Sequence, residues 1–267
     1  MNQRWRNRRS LYRVPDEVIR TEEYEIAMMP TEHEVRGLIA THHYLRTLPP
    51  SRFRFALYRG ETLVGAAVFT YPTNDRTISN IFGCDAIEGA ELGRLILLDE
   101  VPGNGESWFV GECLRRLKRE GLAGIVSFSD PVPRLTCDGT LVTPGHIGTV
   151  YQALNAVYLG RSAARTLRLL PDGTALSDRT LQKLRTGEPG TKAIREILGL
   201  TGVELSREGL NELVRGKTRP LKHPGNHRYA WALARAALRK MPSGLPYPKW
   251  LPLWELDQAQ AESASAR

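Results

Sequence analysis

Between Glu91 and Gly160 the chain leaves few folds open. The run Glu91-Leu-Gly-Arg-Leu-Ile-Leu-Leu-Asp99 is dense in strand-compatible apolar residues, and a turn-rich loop, Glu100-Val-Pro-Gly-Asn-Gly-Glu-Ser107, follows it. From Trp108 to Lys118, Phe109, Val110, Cys113, Leu114 and Leu117 recur at helical spacing. Gly124-Ile-Val-Ser-Phe-Ser-Asp130 is a second short strand, stopped by Pro131, and the apolar spacing of His146–Tyr158 predicts a helix ending at Gly160. Strand, glycine loop, helix, strand, loop, helix is an α/β order. A glycine-rich turn feeding a helix presents unpaired N–H groups and a partial positive charge to an anion. Asn104, Gly105, Glu106 and Ser107, with Trp108 after them, occupy that place. The same spacing suits an ordinary strand-to-helix turn, and Ser107 suits a helix cap as well as a phosphate contact. Glu100 and Glu106 oppose an anion unless they turn away.

Specific wording accompanies this order. It comprises His43-Tyr44, Glu91-Leu-x-Arg-Leu95, Glu106-Ser-x-Phe109, Ser127-x-Ser-Asp-Pro131, His146-x-Gly-Thr-x-Tyr151 with Asn155 and Tyr158, and a late Lys222-His-x4-Arg-Tyr229. Across roughly residues 24 to 170 and 222 to 248 the chain resembles the Mom family of phage DNA-modification proteins. The element order resembles the GCN5-related N-acetyltransferase fold. The resemblance implies a mixed sheet flanked by helices, acetyl-CoA or another acyl donor, and a reaction at the exocyclic amine of adenine in DNA. It implies a methylcarbamoyl (acetamido) or acyl product that shields phage DNA from restriction. It also marks His43, Tyr44, Arg94, Asp130 and Tyr151 as the catalytic set and residues 104–108 as the donor-binding set.

Read without the resemblance, the same residues keep structural alternatives. Asp130 ends a strand, where open α/β sheets place ligands, and it also precedes proline, a common turn position. Arg94 lies inside an apolar strand and needs a partner there, with Asp130, the nucleic acid or the donor as the choices. Tyr151 or Tyr158 can protonate a thiolate leaving group, or pack in the core. His43, Asp130 and His146 suit divalent iron or another metal if they converge, although nothing in their spacing demands it.

Charge is unevenly spread along the chain of net charge +8. Residues 1–20 hold six Arg against Asp16 and Glu17, and residues 165–241 hold 16 basic against seven acidic side chains. Residues 21–164 hold 13 basic and 17 acidic. Basic flanks around a mildly acidic core suit a polyanion, here double-stranded DNA with one base extruded. Arg4, Arg6, Arg8 and Arg9 in the arm, and Lys217, Arg219, Lys222 and Arg228 near the end, are the expected phosphate contacts. No apolar run is long enough to span a bilayer, no apolar signal core opens the chain, and Cys84, Cys113 and Cys137 suit neither a disulfide framework nor a zinc site. A reducing cytoplasm is expected. The oligomeric state stays open, a homodimer included.

The expected organisation is a mobile basic arm (1–20), an acetyltransferase-like core (21–170), a basic helical insertion (171–221), a last strand with C-terminal helix and tail (222–257), and a frayed end (258–267). Within the core, Tyr24–Met29 reads as a strand and Thr31 as the cap of a helix reaching His43-Tyr44. Arg52–Tyr58 and Leu63–Tyr71 read as a hairpin, and Pro72–Glu88 as a loop over the active site. His227–Leu233 is expected to lie beside Arg165–Leu170. Two other functions fit: acyl transfer to another amine, such as a hypermodified pyrimidine, a protein or a small molecule, and DNA binding without catalysis.

Overall fold

The computed structural model describes residues 2–6, 9–13, 17–29, 31–72, 74, 76–200 and 206–249. Seven strands form the main sheet. These are β3 (Tyr24–Met28), β4 (Ser51–Arg59), β5 (Thr62–Thr70), β6 (Gly89–Leu97), β7 (Gly124–Ser129), β10 (Val157–Arg161) and β14 (His227–Ala232), in the spatial order β10-β14-β7-β6-β5-β4-β3. Every neighbouring pair is antiparallel except β6 and β7, which run parallel. This is the mixed sheet expected from the sequence.

Strand alternation sends successive side chains to opposite faces, and each face has its own helices. Ala67, Phe69, Leu92, Ile125 and Tyr229 pack with Phe109, Val110, Cys113 and Leu117 of α3 (Gly105–Arg119). Ala66, Val68 and Ile96 face Val35, Leu38 and Ile39 of α1 (His33–His42). On that second face Val126 and Ala230 meet Ile78, Ile81 and Phe82 of α2 (Arg76–Phe82) and Ala237 of α8 (Arg235–Lys240). Gly124 permits this approach, because a Cβ there would lie 2.5 Å from the Phe82 ring.

The parallel pair is zipped only from Gly89↔Gly124 to Leu92↔Ser127. Beyond that point β6 continues against β5 and β7 against β14, with no pairing between them. A β-bulge accounts for the parting. Val68 of β5 pairs with Arg94 and the next residue, Phe69, pairs with Leu92, so Gly93 is the extra residue. A bulge bends and twists its strand, which carries β6 away from β7.

A second, three-stranded sheet joins β11 (Arg165–Leu169), β12 (Ala175–Leu176) and β13 (Arg219–His223). Three helices follow β12: α5 (Asp178–Thr186), α6 (Lys192–Leu198) and α7 (Arg207–Lys217). They share a core of Leu170, Leu176, Leu184, Leu198, Leu210 and Val214. The small hairpin of β8 (Arg134–Leu135) and β9 (Leu141–Thr143) leads to the short helix α4 (Thr149–Ala153). At the N-terminus β1 (Asn2–Arg6) and β2 (Arg9–Arg13) pair antiparallel.

Several local expectations are corrected. The arm is a hairpin over Asn2–Arg6 and Arg9–Arg13 rather than an unstructured segment. Glu32, not Thr31, holds the cap position of α1, and Glu34 is drawn to the Tyr58 hydroxyl. The described residues of 72–88 do not line the cleft, because Ile78, Ile81 and Phe82 bury α2 against β7 and β14. The helix expected over His146–Tyr158 is only α4. Asn155 takes a left-handed φ of 54° and Ala156 N–H turns back to the Tyr151 carbonyl, after which β10 begins. β14 lies between β7 and β10, while β11 pairs with β13.

Candidate active site

The parting of β6 and β7 opens a cavity of about 420 Å³, within the range of small-ligand sites. His43 and Tyr44 reach it from the segment after α1, Arg94 from β6, His146 and Tyr151 from the β9–α4 region, and Asn104, Glu106 and Ser107 from the start of α3. Four of the five expected catalytic residues, His43, Tyr44, Arg94 and Tyr151, therefore share one wall system.

Tyr151 sits at the fork. Its hydroxyl hydrogen-bonds Ser127, whose Oγ donates to the Leu92 carbonyl at 3.0 Å, across the last paired residues of the two strands. Its ring packs edge-on to Tyr229 (5.4 Å) and Trp231 (5.6 Å). Gly148, at φ 75°, starts α4 beneath that ring, and a Cβ there would meet Tyr151 at 2.7 Å and Tyr229 at 2.8 Å. Burial raises the Tyr151 phenol above its ordinary pKa, so it stays protonated at neutral pH. Tyr44 is raised too, again chiefly by burial.

His43 is 6% exposed and stacks on Tyr44 with centroids 4.3 Å apart. Its Nδ1 accepts the Leu45 N–H at 3.1 Å, which assigns the ring proton to Nε2. Burial, with smaller effects from Arg94 and His146, pushes its pKa down to about 3. His43 is thus a neutral donor. His146 is also neutral, lowered to about 4 by burial against an opposing pull from Asp130.

Arg94 does not meet Asp130. Its Nε donates to the Thr47 carbonyl (2.9 Å), one terminal nitrogen to Thr47 Oγ1 (3.3 Å) and the other to the Gly93 carbonyl (2.7 Å). It forms no ion pair with a carboxylate among the described residues; its direct partners are neutral oxygens, the Glu91 carboxylate acts on it only through its field, and the guanidinium lines the cavity.

Asp130 stands behind the wall, with both oxygens engaged. Oδ1 accepts from the Val132 N–H (2.9 Å) and from His223 Nε2 (2.8 Å), and Oδ2 pairs with Arg134. Burial pulls its pKa up, but Arg134, the Val132 amide and His223 outweigh that and hold it below the ordinary value. His223 Nδ1 accepts from Gly225 N–H (3.0 Å), so this histidine has no nitrogen left over. The cluster locks the end of β7 to β13. A metal held by His43, Asp130 and His146 does not fit, because the Arg134 cation occupies the carboxylate. Among the described residues no group of three His, Cys, Asp or Glu is placed to hold an ion.

The donor set divides. Asn104, Glu106 and Ser107 line the cavity, whereas Gly105 and Trp108 do not. Gly105 is there for packing, since a Cβ would meet Val101 at 2.5 Å, and Trp108 turns to Tyr24, 6.2 Å between centroids. The loop is already partly engaged: Gly103 N–H donates to Glu17 (3.0 Å), Asn104 Oδ1 accepts from Ile19 N–H (2.8 Å) and Ser107 Oγ donates to the Asn104 carbonyl (3.0 Å). Glu17 was not foreseen as a site neighbour, and neither was Ser127, although a polar residue inside the apolar run 124–129 was the available signal.

Of the expected nucleic-acid contacts, Lys217 Nζ caps the Leu198 carbonyl (3.0 Å), Arg219 ties to the Leu135 carbonyl (2.6 Å) and Arg228 to that of Leu159 (2.7 Å). Each spends at least one N–H on the fold. Lys222 is exposed. Arg8 and the side chains of Arg4, Arg6 and Arg9 lie outside the described residues. All three cysteines are free, and no described helix is long and apolar enough to cross a membrane.

A solved tandem GNAT protein from the clavulanic acid biosynthesis pathway, determined without AcCoA, is similar over 79% of this chain and 99% of its own. The two are 10% identical, with a TM-score of 0.41. Among curated proteins, no sequence matches the chain. The Mom protein family matches residues 23–249, from before β3 to the tail after α8, and the chain belongs to that family of DNA-modification proteins.

Proposed function

We propose that this protein transfers an acyl-type group, in the leading reading the acetamido group, to the exocyclic amine of adenine in double-stranded phage DNA and so shields it from restriction. The observation that carries this reading is the convergence of His43, Tyr44, Arg94, His146 and Tyr151 on one cavity at the fork of β6 and β7. A base must leave the helix to reach such a cavity, which costs a few kcal/mol and is offset by phosphate contacts from the basic flanks.

The residues fit an acyl donor entering along the open edge of β6, with Asn104 and Ser107 beside it at the start of α3. For the acyl product, a bound acyl-coenzyme A would supply an activated thioester, with the coenzyme A thiol as the leaving group. The His43 Nε2–H and the Arg94 guanidinium then stabilise negative charge developing on the acyl oxygen. Tyr151, protonated and held by Ser127, donates a proton to the leaving group. Once the base nitrogen has attacked, it is strongly acidic, and the neutral His146 suffices to accept its proton. Asp130 has no part in these steps and positions the strand end.

Nucleosides from DNA co-expressed with the protein test this by mass spectrometry. A modified deoxyadenosine is expected, and its absence beside a working control refutes the adenine reading. A new adduct on another base, or on another amine, supports the wider acyltransferase reading instead. A second reading, DNA binding without catalysis, is favoured by the Glu17 carboxylate on the Gly103 N–H, where a donor phosphate would compete with it. DNA binding with neither coenzyme A binding nor product selects that reading.

A further inference from the structure

His43 and Tyr44 line the cavity, and the segment they begin, His43–Thr47, is pinned at three points. Leu45 N–H donates to His43 Nδ1 (3.1 Å), Arg46 N–H to the His43 carbonyl (3.0 Å), and the Thr47 carbonyl accepts from Arg94 (2.9 Å). Arg46 stands at its tip with φ +50°. That left-handed conformation is free for glycine and tolerated by asparagine, but a residue with a long side chain is strained in it. The other non-glycine residue there, among those described, is Asn155, of the tolerant type. Arginine therefore stands where glycine would leave the loop at ease, and backbone strain of this kind gathers at functional sites.

The side chain is exposed, and no acceptor contacts its guanidinium among the described residues. Its neighbours on one side, His43 and Tyr44, line the cavity, and Thr47 on the other holds Arg94. The result is an exposed cation two residues from the cavity lining, on a loop whose backbone is held by three hydrogen bonds. A planar guanidinium fork matches two oxygens of a phosphodiester.

We propose that Arg46 grips the DNA backbone beside the base drawn into the cavity. This rests on the reading that the substrate is DNA. Arg46→Gly and Arg46→Asn remove the charge and relieve the backbone, while Arg46→Lys keeps both charge and strain. Each full-length variant is compared with wild type in thermal unfolding and in anisotropy titrations of a labelled duplex carrying an unpaired adenine, across a salt series. The Gly and Asn variants should melt at the wild-type temperature or about 1–3 °C above it. Their duplex affinity should fall about 5- to 10-fold, and the slope of log Kd against log salt should shrink by about one phosphate, roughly 0.9. The Lys variant should keep the slope. A wild-type slope in the Gly and Asn variants overturns the proposal. Lower melting temperatures also overturn it, because the arginine would then serve the loop's own packing. If wild type itself fails to bind the duplex at low salt, the DNA reading falls, and this inference with it.

Discussion

Neutral His43 gives the cavity a measurable signature in acid. An unfolded chain protonates histidine at about pH 6.5, whereas in the fold burial holds His43 near 3. The folded pKa lies below the unfolded one, so the unfolded state gains protons first as pH drops. Stability is therefore intact above about 6.5 and is lost progressively down to about 3. Between pH 7 and pH 5 this one side chain should cost about 2 kcal/mol, from about 1.4 kcal/mol per pH unit over the roughly 1.5 units below the unfolded pKa. That is a large share of a typical 5–15 kcal/mol stability. Asp130 acts in another window. Its depressed pKa stabilises the fold above the ordinary carboxylate range and is lost only as pH falls through that range. Urea unfolding followed by tryptophan fluorescence at pH 7, 6 and 5 reads the effect in wild type and in His43→Gln. The variant's loss over that interval should be smaller by about 2 kcal/mol, whatever its absolute stability. Parallel pH profiles would refute the claim that His43 is held neutral, and with it the assignment of Nε2–H as a donor at working pH.

Tyr151→Phe should leave stability within about 1 kcal/mol of wild type by urea unfolding. It should lower product formation 10²- to 10⁴-fold in the nucleoside assay; undiminished turnover would remove Tyr151 from proton donation. Asp130→Ala leaves Arg134 and His223 unpaired in a half-buried setting, so unfolding in urea should register a loss on the order of 3 kcal/mol. A variant of wild-type stability that is nonetheless inactive would return Asp130 to the chemistry.

The parts of the fold legible in the sequence are those whose cause is local. The apolar alternation of β4, the continuous apolar run of β5, the period of α3, and the proline that stops β7 each sit within a dozen residues. The misreadings have non-local causes. Val157–Arg161 carries a spacing compatible with helix, and becomes a strand because β14, some 70 residues later, offers it an edge. Asn155, tolerant of left-handed φ, was the local sign that α4 had ended. In Pro72–Glu88 the triplet Ile78, Ile81, Phe82 had helical spacing, masked by its polar surroundings. The site was legible as a set of residue types but not as a layering. Asp130 before Pro131 reads equally as a catalytic carboxylate and as a turn acceptor for Val132, and only the position of His223 and Arg134 separates the two.

The bulge at Gly93 makes the cavity testable as a consequence of one residue. Leu92 and Leu95 both face the α3 side though they are three positions apart, which a regular strand forbids. Ile96 faces α1 and Leu97 faces α3 again. Deleting Gly93 brings Leu92 and Leu95 to a spacing of two, so every apolar residue of β6 keeps its face without the bulge. The shortened strand should then be regular, fold with nearly unchanged apolar burial, and run on beside β7 past Ser127. Its cavity should close. The deletion is expected to retain cooperative thermal unfolding within a few degrees of wild type, about 1 kcal/mol for a chain of this size. It should also lose small-ligand binding, measured with coenzyme A by calorimetry, and modification activity. An unfolded product would show that the apolar pattern does not carry β6 alone. A folded product with wild-type binding would show that something other than the bulge parts the strands.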